Sequence, residues 1–182
     1  LCSANGNYRA TQPNDCNDNA LGVNPGVQEN CATGVDDNCN SETNELNALG
    51  CINFYLDVDG DGYGVTADFQ CLCAPLGNYR AMLSGDCDDG NSAIKPGAQE
   101  LCATPADDNC NGEANDQGAL GCTVFYRDQD QDGYGLISDT ECRCQAQGVY
   151  SAQTVGDCND TDPAVSPGAQ ETCATPVDDD CD

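Results

Sequence analysis

A small disulfide-rich, metal-stabilised tandem repeat, made mostly of loops with short β-hairpins and little helix and extended as a linear array, is the fold class this sequence predicts. Three observations carry that expectation: sixteen cysteines in 182 residues, a 71-residue register in which they recur, and glycine-broken runs in which every second residue is an acid.

The cysteines come first because the apolar content is thin. Three Phe, seven Tyr, one Met and no Trp supply too little surface for a large core. Cysteine at this density marks small modules held by covalent staples in an oxidising compartment, which predicts an extracellular or cell-surface location.

The register comes second. Cys2, Cys16, Cys31, Cys39, Cys51 and Cys71 recur as Cys73, Cys87, Cys102, Cys110, Cys122 and Cys142, each 71 residues on, and a third copy opens with Cys144, Cys158, Cys173 and Cys181. Residues 1–71 and 72–142 align without a gap and are identical at 38 of 71 positions. The expected organisation is therefore repeat 1 over 1–71, repeat 2 over 72–142 and a partial repeat 3 over 143–182, a slice of a longer array. Leu1 does not begin a signal peptide, so targeting was either cleaved or lies elsewhere in a longer chain.

Within a repeat, a strand-like run leads into an acidic loop, NFYLDVDGDGYG or TVFYRDQDQDGYG, and a second short strand reaches the next cysteine pair, which predicts a hairpin. The segment NYRATQPNDCNDN, with NYRAMLSGDCDDG and VYSAQTVGDCNDT as its copies, runs into a Pro-Gly turn at Pro25, Pro96 or Pro167. A third segment closes with CATGVDDNCN, CATPADDNC or CATPVDDDC. Helical periodicity of useful length is absent.

The acids come third. Five basic residues (Arg9, Arg80, Lys95, Arg127 and Arg143) face 32 acids, a formal charge of −27. Phosphate backbones and anionic lipid surfaces are repelled by such a chain, and no run of apolar residues is long enough to span a bilayer. Nucleic-acid binding and membrane insertion are therefore not expected. Carboxylates placed where they repel one another call for a cation among them.

In DVDGDGYG the spacing is that of a twelve-residue calcium loop: Asp57, Asp59, Asp61, Gly62, Tyr63 and Asp68 occupy positions 1, 3, 5, 6, 7 and 12. Asp128, Asp130, Asp132, Gly133, Tyr134 and Asp139 repeat them. Alternate carboxylates on a tight turn supply hard oxygen ligands, glycine permits the bend, and the tyrosine offers its backbone carbonyl. Asp in place of Glu at position 12 has a shorter arm and predicts modest affinity, and the lack of flanking helices predicts a calcium loop without the EF-hand fold.

A second acidic group precedes each Pro-Gly turn: Asp15, Asn17 and Asp18; Asp86, Asp88 and Asp89; Asp157, Asn159, Asp160 and Asp162, with Glu29, Glu100 and Glu171 expected to close the same sites. The third group is Asp36, Asn38, Asn40 and Glu42, repeated as Asp107, Asn109, Asn111 and Glu113, with Glu45 or Asp116 more distant. Gly112 stands at the sixth position of that loop where the first copy has Ser41, and the last copy retains Asp178, Asp180 and Asp182. Occupied throughout, these groups would take roughly six to eight divalent ions and cancel about half or more of the charge.

At these residues the sequence resembles the MopE-type putative metal-binding repeat of secreted bacterial proteins, with YRDQDQDGYG, GDCDDG, PGAQELC and DDNCNG as the matching segments. The acidic loops are also similar to those of thrombospondin type 3 repeats, in which calcium and disulfides replace a hydrophobic core. The resemblance implies the repeat architecture and metal binding. Its copper association is not carried over, because the chain has no His or Trp and only Met82 as a thioether, whereas oxygen-rich sites favour calcium, magnesium or manganese. Cys51, Cys71, Cys122 and Cys142 are additional to the common pattern.

Six cysteines per repeat allow 15 pairings. Nearest-neighbour pairing predicts Cys2–Cys16, Cys31–Cys39, Cys51–Cys71, Cys73–Cys87, Cys102–Cys110, Cys122–Cys142, Cys144–Cys158 and Cys173–Cys181, with every cysteine used. Zinc and a redox dithiol are disfavoured, since C-x-C is the only close spacing and no His accompanies it.

Catalysis lacks support: no His, nucleophile elbow or phosphate loop accompanies the evenly repeated acids. The expected function is an extracellular structural protein, a fibre, stalk or adhesin segment stiffened by calcium and local disulfides, with neighbouring repeats or further copies of itself as partners. The alternatives are a secreted copper- or manganese-capture protein and a ligand-binding surface module. Asn159, in the sequon Asn159-Asp160-Thr161, is either a glycan acceptor or a ligand, and Thr33, Thr104 and Thr175 are either O-glycan positions or turn residues.

Overall fold

The computed structural model describes residues 13–174 and 176–182. Cys2 and Thr175 lie outside them. The chain divides into two compact units, Leu1–Ser92 and Ala93–Asp182. The described residues form short strands and loops, and none is helical. No helix among them is long and apolar enough to cross a membrane.

In the N-terminal unit the hairpin forms where the sequence places it. β1 (Ile52–Leu56) pairs antiparallel with β3 (Phe69–Leu72), Ile52 opposite Leu72 and Asn53 opposite Cys71, and Cys51–Cys71 closes its open end. β4 (Tyr79–Ala81) lines the other side of β1. β2 (Tyr63–Gly64), at the end of the acidic loop, pairs in parallel with β5 (Leu83–Ser84).

The C-terminal unit repeats this plan with β6 (Thr123–Arg127), β7 (Tyr134–Arg143), β8 (Tyr150–Ala152) and β9 (Thr154–Val155), in the order β8-β6-β7-β9. β7 is continuous where the N-terminal unit has two strands. Val65-Thr66-Ala67 closes a turn in which Asp68 N donates to Val65 O, whereas Leu136-Ile137-Ser138 stays extended.

The apolar core is small. Val23, Ala48, Phe54, Leu72 and Ala81 are buried in the N-terminal unit, and Ile94, Ala119, Phe125, Ala152 and Val165 in the C-terminal one. As many acids are buried alongside them: Glu29, Asp37, Asp57 and Asp86, then Glu100, Asp108, Asp128, Asp157, Asp160 and Asp179. A buried carboxylate costs free energy unless hydrogen bonds or a cation offset it, so these acids carry the structural question that a larger core would have answered.

The disulfides correct the nearest-neighbour pairing. Cys51–Cys71 and Cys122–Cys142 form as expected, but Cys16 bonds Cys39, Cys31 bonds Cys73, Cys102 bonds Cys144 and Cys158 bonds Cys181. Cys87 and Cys110 are also disulfide-bonded. Cys173, expected to pair with Cys181, is a free exposed thiol. Chain entropy favours the shortest loops only weakly, by about 0.6 kcal/mol per doubling of length, so geometry decides. Cys39 and Cys181 each sit inside an acidic turn at φ 57°, facing the preceding acidic segment rather than the nearest cysteine in sequence.

Candidate metal centre

Each hairpin loop is wound by its own acids. Gly60 N donates to Asp57 Oδ1 at 2.6 Å and Gly62 N to Asp57 Oδ2 at 3.3 Å. Asp61 N then donates to Asp59 Oδ1, and Tyr63 N to Asp61 Oδ1 at 2.8 Å. One oxygen of each of Asp59 and Asp61 is thus spent on the turn, and the alternation gathers Asp57, Asp59 and Asp61 so that one oxygen of each lies within 4.8 Å of the others. Gly62 at φ 93° makes the bend. In the C-terminal unit Asp128, Asp130 and Asp132 converge in the same way, with Gly133 at φ 93°.

The closing ligand comes from an unexpected place. Asp68 and Asp139, expected at position 12, belong to neither cluster. Tyr79 Oη donates to Asp68 Oδ1 and Tyr150 Oη to Asp139 Oδ1, both at 3.0 Å, and each carboxylate in turn raises its phenol's pKa. The parallel pairing of β2 with β5 brings in the next segment instead, as Gly85 N and Asp86 N both donate to Gly64 O. Asp86 and Asp89 thereby join Asp59 in a second group of converging oxygens, and Asp157 and Asp160 join Asp130. Val58 N donates to Asp89 Oδ1 and Gln129 N to Asp160 Oδ1, each at 2.7 Å, locking loop to segment.

The junction depends on a glycine that sequence reading passed over. A Cβ at Gly64 would stand 2.4 Å from Leu56 O, and one at Gly135 would stand 2.6 Å from Arg127 O. Only glycine lets the loop return this close to the strand it left.

Several carboxylate oxygens here are buried and accept no hydrogen bond: Oδ2 of Asp59, Asp86, Asp130, Asp132 and Asp157, and Oδ1 of Asp128. Asp86 and Asp157 are each only 7% exposed. Burial, reinforced by neighbouring aspartates, pushes the carboxyls of Asp59, Asp86, Asp130 and Asp157 above their ordinary range. Anionic oxygens turned toward one another without a donor are arranged as ligands of a cation.

The remaining members of the second acidic group are turn residues. Asp15, Asn17, Asp18, Asp88 and Asp162 are exposed, and Asp15, Asn17, Asp88 and Asp162 each accept a backbone N–H two residues on. Asn159 Oδ1 accepts the Thr161 hydroxyl at 2.8 Å.

Glu29, Glu100 and Glu171 do not close that group; the structure places them at the third. Glu29 accepts from Asn38 N and Asn44 N, and Glu100 from Asn109 N and Asn115 N. Asp36 accepts from Asn40 N and Ser41 N, Asp107 from Asn111 N and Gly112 N, and Asn40 and Asn111 from Glu42 N and Glu113 N. Side-chain amides of Asn38 and Asn40 converge on Glu45, and those of Asn109 and Asn111 on Asp116. Glu45 Oε2 and Asp116 Oδ1 are buried without a partner, so these more distant candidates belong to the loop. In the last copy Glu171, Asp178 and Asp180 converge, while Asp182 is exposed beside them. Asp180 is pushed up by burial and then by Asp182, Glu171 and Asp178.

Asp37, Asp108 and Asp179 were not singled out in the sequence although all are buried. The Thr33 hydroxyl donates to Asp37 Oδ2 at 2.5 Å and that of Thr104 to Asp108 Oδ2 at 2.9 Å, which gives both threonines a turn role. A threonine four residues before the first acid that is not at a ligand position was the available signal.

The family model described as a putative metal-binding motif, Cu-binding MopE, matches residues 15–45, 86–116 and 157–182. Three segments of the chain thus match a MopE-type putative metal-binding motif. No curated protein and no solved structure matches it. Each matched segment runs from the second acidic group through the third, so the hairpin loops at Asp57 and Asp128 lie outside the motif and are joined to it by Asp86, Asp89, Asp157 and Asp160. The donors are carboxylate and amide oxygens; with no His, and with Met82 66% exposed, a copper centre of nitrogen and sulfur ligands does not fit them.

Proposed function

We propose that this chain is an extracellular structural repeat protein, a fibre, stalk or adhesin segment, rigidified by calcium in its acidic loops and by its disulfides. The observation that carries the reading is the set of buried, unpartnered aspartate oxygens converging from two segments of each unit. Hard oxygen donors on glycine-bent loops suit a cation that takes six to eight oxygens, and extracellular modules of this kind bind calcium at about 10⁻⁴ to 10⁻³ M. The disulfides fit an oxidising compartment. The role is non-catalytic: the ions stiffen each repeat, and neighbouring repeats, further copies of the chain and glycans are its partners.

Elemental analysis of native, unchelated protein, normalised to sulfur, tests this. Several calcium ions per repeat with little copper or manganese is the expected result. Near-stoichiometric copper or manganese with little calcium overturns it in favour of metal capture.

A further inference from the structure

The two groups of converging acids in each unit share one residue. Asp57, Asp59 and Asp61 form one group and Asp59, Asp86 and Asp89 the other; in the C-terminal unit the shared residue is Asp130, between Asp128 and Asp132 on one side and Asp157 and Asp160 on the other. We propose, resting on the metal-binding reading above, that each unit holds a two-cation centre bridged by this shared aspartate, one ion in the hairpin loop and one between loop and motif.

Three features carry this. The first is the shared residue itself: Asp59 belongs to both groups, its buried Oδ2 accepts no hydrogen bond, and a carboxylate oxygen with free lone pairs can bridge two ions. The second is Asp86, nine-tenths buried and with Oδ2 unpartnered, which belongs only to the second group. A single ion in the hairpin loop would leave that oxygen buried without a counter-charge, and Asp157 repeats the situation. The third is charge. In the C-terminal unit five carboxylates meet Arg127, which lies at Asp160, leaving four negative charges that two divalent ions neutralise; the equivalent five carboxylates gather in the N-terminal unit, with Arg80 at Asp57.

The bridged arrangement makes the second ion a clasp. It binds oxygens from a loop and from a segment about thirty residues on, so its loss would free Asp86 and Asp89 from the loop while the first ion stays.

The experiment is a calcium titration of the full chain by native mass spectrometry, for the unmodified protein and for Asp89→Asn/Asp160→Asn, which keeps an acceptor for Val58 N and Gln129 N. The expected result is two ions fewer per chain at saturation. An unchanged count with weaker binding overturns the two-ion centre and leaves the calcium reading intact. No calcium uptake by the unmodified chain overturns both. If the variant does not fold, anomalous diffraction from the unmodified protein loaded with a lanthanide decides: two peaks flanking Asp59 and two flanking Asp130 support the proposal, and one at each overturns it.

Discussion

The two composite centres use the same five aspartates but draw their arginine from different strands. At the first, Arg80 on β4 reaches Asp57, with Nε 3.4 Å from Oδ2. At the second, Ser151 occupies the matching place on β8 and donates to Asp128 Oδ2, while Arg127 at the end of β6 lies 3.1 Å from Asp160 Oδ2, a charge contact rather than an aligned hydrogen bond. Arg127 replaces Leu56, the equivalent residue of β1. The acid set is therefore fixed by the backbone, and the resident positive charge is supplied from whichever neighbour offers it. At the second centre, Arg127 against five carboxylates also shows how much charge is left for a diffusible cation to meet.

The largest effect should come from removing that cation. Chelation of calcium-loaded protein is expected to abolish near-UV circular dichroism and expand both units, leaving the disulfide-held chain loose. If arginines were sufficient counter-charges, chelation would change neither signal.

Next come the glycines. Gly64→Ala and Gly135→Ala each force a methyl against a carbonyl and should cost about 1–3 kcal/mol, read as a lower thermal midpoint of the calcium form. Equal losses are expected, because the close approach is the same in both units. A loss confined to one would show that the arginine side of the centre shapes the junction.

Thr33→Val and Thr104→Val each remove one of two donors to a buried carboxylate oxygen, the backbone N–H of Asn30 or of Leu101 remaining as the other, and should each cost about 0.5–1.5 kcal/mol. The comparison predicts the same value in each unit, measured by chemical denaturation with calcium held constant.

The smallest effect is the most informative about the arginines. Arg80→Ser gives the first centre the second's serine and removes one positive charge, so calcium affinity there should rise by about two- to five-fold at low ionic strength, with the gain shrinking in salt. Isothermal titration at two salt concentrations checks it. A fall in affinity would assign Arg80 a positioning role.

What the sequence made legible was local. The 71-residue register, the hairpins and the loops at Asp57 and Asp128 follow from spacing, because alternate acids and a glycine at the sixth position act within one turn. Asp86 and Asp89 closing the Asp57 loop was not legible, since that contact depends on the parallel β2–β5 pairing, Tyr63 opposite Leu83, and leaves no periodic trace. Glu29 was assigned to the wrong acidic group for a related reason: it lies between both in sequence, and only the fold decides that it caps Asn38 and Asn44. Disulfide pairing failed where proximity in sequence was used as proximity in space, and held at Cys51–Cys71, where the hairpin makes the two coincide.

The interlaced disulfides of the N-terminal unit set how far it can be stretched. Under tension between Cys16 and Cys73, the shortest covalent route crosses Cys16–Cys39, runs back along the eight residues to Cys31, and crosses to Cys73. At about 3.5 Å per residue, that route extends to about 40 Å, whereas the unbridged chain between the same points would reach about 200 Å. A pulled array of such units would yield little length before covalent bonds bear the load, which makes the fold a tether of nearly fixed reach even when its ions are gone.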